Sequence, residues 1–171
     1  MLPSTIRAAS CLTLLPLLIA CGGKSAVSDS GDPGEQAILP VEGAWQGTDA
    51  TTLSNGCDIE LWAEGSAVMV AHAGVDSFTI SDEHLFVVCS LTGGDFACAP
   101  QLRSEDLGEA GLDAVVETAI DISGTIEESS TEGSMRLAVS LDCEGPDCGA
   151  LDEAMPLPCE SVAVYDLRYA D

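Results

Sequence analysis

The chain has 171 residues, with 29 acidic side chains, five basic ones, eight cysteines and few aromatics, and its formal charge is −24 at neutral pH. Arg7, Lys24, Arg103, Arg136 and Arg168 are the only fixed positive charges and they are scattered, which excludes nucleic-acid recognition through a basic patch. The length fits one globular domain with attached segments and excludes a multidomain enzyme.

The first seven residues carry one base and no acid, and an apolar run from Ala8 to Ala20, interrupted by Pro16, follows. That order is the plan of a signal peptide over residues 1–20. As a helix the apolar run would reach about 20 Å, short of the ~30 Å of hydrocarbon that a lasting membrane span must cross. The run ends in Leu18-Ile19-Ala20-Cys21, which resembles the lipobox of bacterial lipoproteins. The resemblance implies cleavage before Cys21, a diacylglyceryl thioether on its sulfur, and acylation of the new amino group with a palmitate-type chain. The membrane is then a partner through a covalent lipid, and no other cofactor is implied. Two or three acyl chains, at about 0.8 kcal/mol per buried methylene, hold a protein stably where one does so marginally. Gly22, where an Asp would imply retention in the inner membrane, implies an outer-membrane location for a member of that family, on either its periplasmic or its cell-surface face.

Loss of residues 1–20 leaves 29 acids against four bases, a charge of −25. Such a chain repels nucleic acid and anionic lipid and admits basic proteins or divalent cations as partners, although a solvated acidic surface also serves solubility alone. Residues 22–40 are small, polar and without hydrophobic period, so 21–40 reads as a lipidated cysteine and flexible linker with an r.m.s. reach of roughly 25 Å.

Residues 41–171 show mostly period-two alternation broken by Gly, Asp and Ser clusters, the pattern of an all-β domain. Val116, Thr118, Ile120 and Ile122 alternate with polar or small neighbours. So do Met135, Leu137, Val139 and Leu141 after the turn at 129–133, and the two runs predict a hairpin. Ile59, Leu61 and Ala63 alternate with Asp58, Glu60 and Trp62 and predict a further strand. Shorter runs at 43–48, 67–72, 77–81, 84–91, 96–99 and 159–169 bring the total to eight or nine strands in an antiparallel barrel or sandwich. Ser104-Glu105-Asp106-Leu107 starts like a capped helix, but Gly108 and Gly111 limit it to a short helix or turn.

Cys11 leaves with the signal and Cys21 carries lipid, so Cys57, Cys89, Cys98, Cys143, Cys148 and Cys159 remain, an even number in an exported domain. The loop 92–95 pairs Leu91 with Phe96 and sets Cys89 opposite Cys98, close enough for a disulfide with modest adjustment. The other four leave three pairings open. A bridge from Cys57 to the C-terminal group would close a loop of about a hundred residues and stabilise the fold by about 4–5 kcal/mol. A zinc site is disfavoured, because exported thiols oxidise and the spacing does not match.

Gly43-Ala44-Trp45 near the start and Arg168 near the end resemble the pattern of lipocalins and fatty-acid-binding proteins. That resemblance implies Trp45 packing near Arg168 to close one end of an eight-stranded barrel, and a small apolar ligand at the mouth. His72 and His84 are the only ordinary neutral-pH bases; His72 shares the parity of Val68 and Val70 and reads as a half-buried strand residue, while His84 follows Asp82-Glu83 at a turn. No Gly-x-Ser-x-Gly elbow, zinc-protease helix or phosphate loop occurs, so no catalytic residue is assigned. Asp142, Glu144 and Asp147 gather carboxylates in one loop and would suit calcium, without the ligand spacing of an EF-hand. The sequence thus predicts a non-catalytic, membrane-anchored β-domain with a binding or envelope-structural role. An apolar-ligand carrier is the alternative, and an exported hydrolase has less support.

Overall fold

The computed structural model describes residues 36–63, 65–151 and 155–170, so Cys21, the lipobox and the linker as far as residue 35 lie outside the described residues. The described chain forms β1 (Gly43–Asn55), β2 (Ala67–His72), β3 (Ser77–Ser81), β4 (Phe86–Thr92) and β5 (Asp95–Cys98). After these come β6 (Gln101–Asp106), β7 (Val115–Ile126), β8 (Glu132–Glu144) and β9 (Cys159–Tyr169). All pairings are antiparallel; β1 pairs with both β2 and β9, and β5 pairs with β7. Eight strands therefore close into a barrel, which leaves β6 as the strand with an unpaired edge. β6 is the extra strand, lying on the same edge of β7 as β5 but farther along it: Asp95–Ala97 face Thr125–Ser123, and Gln101–Asp106 face Ile120–Val115. Pro100, which lacks a backbone N–H, stands between the two segments where the ladder slips by one residue.

The barrel follows from side-chain alternation. On β4, Val87, Cys89 and Leu91 are buried while Phe86, Val88, Ser90 and Thr92 are exposed. Trp45, Phe78, Ile80, Phe96, Met135 and Tyr165 are the bulky members of the resulting core. The hairpin expected between residues 116 and 142 is β7–β8, paired continuously from Val115↔Glu144 to Ile126↔Gly133.

Three expectations are corrected. Residues 58–63 form no strand; they belong to a loop, and their alternation reflects partial burial of Ile59, Leu61 and Trp62 against the barrel. β1 runs instead to Asn55, its polar second half held by pairing with β9 through two register shifts. β6 was not foreseen, because an exposed strand with one paired edge carries no apolar stripe. The Ser104–Leu107 signal yields a 3₁₀ turn, Leu107–Ala110, capped by the Asp106 carboxylate accepting from Gly108 N–H at 2.8 Å and closed by Gly111 at φ +83°.

Composition assigned residues 37–40 to the linker, yet Ala37, Ile38 and Leu39 pack on the core and Pro40 is buried. Ile38 N–H donates to Gly93 O at 2.8 Å and Val41 N–H to Ser130 O at 2.9 Å. Trp45 Nε1 donates to Val41 O at 2.8 Å. The segment thus crosses and closes the barrel end at which β1 begins.

The six cysteines form three disulfides, Cys57–Cys159, Cys89–Cys98 and Cys143–Cys148. Cys89 and Cys98 are cross-strand partners, as the loop length required.

Candidate binding site at the open end of the barrel

The opposite end is the one at which β1 finishes. The loop from Gly56 to Ser66 joins β1 to β2 and is fastened at both ends. At its start, the Cys57–Cys159 disulfide ties it to β9, Cys57 N–H donates to Ser161 Oγ at 3.2 Å, and that hydroxyl donates to Asn55 Oδ1 at 3.0 Å. Asn55 Oδ1 also accepts from Ile59 N–H at 3.1 Å. At its close, Gly65 N–H donates to Gly47 O at 2.9 Å and Gly47 N–H to Ser66 O at 3.1 Å.

Between these anchors the loop turns Trp62 over the barrel wall. A Cβ on Gly47 would stand 2.5 Å from the indole Cζ3, so glycine is required there for the ring to sit where it does. Trp62 meets Tyr165 edge-to-face, with centroids 5.2 Å apart and planes at 75°. The Tyr165 ring is buried, and desolvation pushes its hydroxyl above the ordinary value of 10.0. The Trp62 backbone hydrogen bond opposes that shift and nearby Glu60 adds to it.

Trp62 lines two compartments. One is apolar, about 270 Å³, walled by Val68, Ile80, Ile120, Leu137 and Val139 together with Leu61 and Leu85. The other, about 410 Å³, is richer in oxygen, with Asn55, Asp58, Glu60, Ser161 and Tyr165 on its walls. The larger falls in the size range of a small-molecule site and the smaller just below it. Across the mouth, Asp82 Oδ1 accepts from His84 N–H at 2.6 Å and Leu85 N–H at 2.7 Å and shapes the turn that carries Leu85. Arg103 of β6 donates from Nη2 to His84 O, tying the extra strand to that turn.

Other expected positions lie elsewhere. Trp45 is buried in the core and packs edge-to-face with Tyr169 at 6.2 Å, while Arg168, one residue earlier and on the opposite face of β9, is exposed. The expected contact of Trp45 with Arg168 is therefore replaced by one with Tyr169, its register partner. His72 is more exposed than its parity suggested and sits at the closed end, with Nε2 2.8 Å from Pro40 O and its backbone N–H donating to Glu42 Oε1 at 2.8 Å. His84 is exposed beside Glu83, 3.3 Å away. Of the residues singled out for calcium, Asp142 and Glu144 lie at the end of β8 rather than in a loop and Asp147 follows the strand; Asp142 Oδ1 accepts from Cys143 N–H, Asp147 Oδ2 accepts from Asp113 N–H, and Glu144 is exposed. Among the described residues, no group of three or more His, Cys, Asp or Glu side chains is arranged to hold a metal.

Sequence reasoning missed Trp62 as a site residue because its alternating neighbours read as a strand. The signal that would have found it is the pair of glycines Gly56 and Gly65 bracketing an apolar cluster. The chain matches no family model, and no curated protein or solved structure is detectably similar to it.

Proposed function

We propose that this is an exported lipoprotein, held at the outer membrane by acylated Cys21, whose barrel is non-catalytic and binds a small apolar ligand at its open end. The observation that carries the binding reading is the apolar compartment beside Trp62, walled by aliphatic side chains from β2, β3, β7 and β8. One barrel end is closed by residues 37–42 and packed tightly around Trp45; the other keeps space under a loop. Such an asymmetry suits a container with one entrance.

The test is a titration of the mature chain carrying Cys21→Ala with Nile red, a neutral dye whose emission rises in apolar surroundings. Saturable binding at one site is expected. Val139→Gln, inside the compartment, should weaken it about tenfold or more, since a buried amide without partners opposes an apolar ligand. Phe86→Ser, on the exposed outer wall, should leave it unchanged. Equal loss in both variants, or no saturable binding, would refute the assignment.

A further inference from the structure

We infer that the oxygen-rich compartment under Trp62 receives the positively charged head of an organic cation whose apolar part occupies the neighbouring compartment. The inference rests on the binding reading above and specifies the chemistry of the ligand. Asp58 and Glu60 line this compartment and no cationic side chain does, while the side-chain oxygens of Asn55 and Ser161 are engaged with each other and with the Cys57 and Ile59 N–H groups. Trp62 lines both compartments, so its indole stands where head and tail of one molecule would join. Indole rings attract ammonium groups through their negative faces, most strongly when water is excluded.

The alternatives fit less well. An anionic head would leave water beside two carboxylates, and Arg103, the fixed positive charge at this mouth, faces the apolar compartment and is engaged with the His84 carbonyl. A bare metal ion lacks a suitable group of ligands among the described residues. A cation also arrives with the field of the whole molecule in its favour, since the chain carries a formal charge of −24.

The experiment compares octyltrimethylammonium, octyl glucoside and nonanoate, amphiphiles with the same eight-carbon tail and cationic, neutral or anionic heads. Each is titrated below its micelle threshold into the mature chain carrying Cys21→Ala, by calorimetry at about 0.15 M salt, where long-range fields are screened. The cation is expected to bind about tenfold or more tightly than the glucoside, and nonanoate more weakly than either. Asp58→Asn with Glu60→Gln should remove the preference for the cation over the glucoside, with an unchanged urea midpoint reporting an intact fold. Glu127→Gln with Glu128→Gln, between β7 and β8 at the other end of the barrel, removes the same charge and should preserve the preference. Equal affinities for the three heads, or an equal loss of preference in the remote double variant, would overturn the cation assignment and leave the binding reading standing. No binding of any amphiphile by the chain with its acids intact would overturn both.

Discussion

Gly47 and Gly124 show how single positions divide between site and scaffold. A methyl group on Gly47 meets the far edge of Trp62 at 2.5 Å, a ring carried on a loop that can yield. A methyl group on Gly124 meets the Ser134 carbonyl oxygen at 2.0 Å and the Phe96 ring at 2.7 Å, inside the β7–β8 ladder. Gly47→Ala should therefore cost about 1 kcal/mol or less in urea unfolding while shifting Trp62 emission to the red, read in a Trp45→Phe background. Gly124→Ala should cost about 1–3 kcal/mol and leave Trp62 emission in place. Tyr165 makes a second test at this scale. Its phenol is held neutral by burial, so its raised folded value gives a stability contribution that is complete below the unfolded value of 10.0 and is lost as pH rises through the folded one. Urea midpoints should fall above pH 10, and Tyr165→Phe should flatten that fall.

At the scale of elements, the three disulfides fasten loops of very different size. Cys57 and Cys159 are 102 residues apart, whereas Cys143 and Cys148 are five apart. On the chain-entropy account the first stabilises by about 4–5 kcal/mol and the second by about 2. Replacing Cys57 and Cys159 together by Ala should lower the urea midpoint far more than replacing Cys143 and Cys148, and it should also free the Trp62 loop at its first anchor. Equal effects would show that strain or residual structure, rather than loop closure, sets the contribution. Which elements the sequence discloses follows from how they are buried. β4, β7 and β8 alternate because one face meets the core, and the spacing of Cys89 and Cys98 fixes their hairpin register. The polar end of β1 and all of β6 carry no such stripe, since both are exposed and owe their conformation to a neighbouring strand. The run at 58–63 misleads for the opposite reason: a loop lying across a barrel mouth buries apolar residues as a strand does.

The whole molecule combines a closed, stapled barrel with a strongly acidic surface and two unlike ends. The closed end is made by residues 37–42: Ala37, Ile38, Leu39 and Pro40 follow a polar linker without strand alternation of their own, and their packing appears only with the barrel they cross. The alternation made an antiparallel barrel or sandwich legible, whereas an apolar mouth is only what the resemblance at Trp45 and Arg168 implies, and the ring at the candidate site is Trp62. Gly47 leaves room for the Trp62 ring, and the disulfide at Cys57 ties the start of the loop that carries it to β9. The measurement that bears most directly on an anchored, stapled and ligand-holding chain is its intact mass after extraction from membranes, under native conditions and again after reduction and alkylation. A chain beginning at triacylated Cys21 is expected, with the six cysteines of the barrel alkylated only after reduction and a noncovalently held small molecule lost on denaturation. An unmodified N-terminus, thiols that alkylate before reduction and no bound molecule would contradict it.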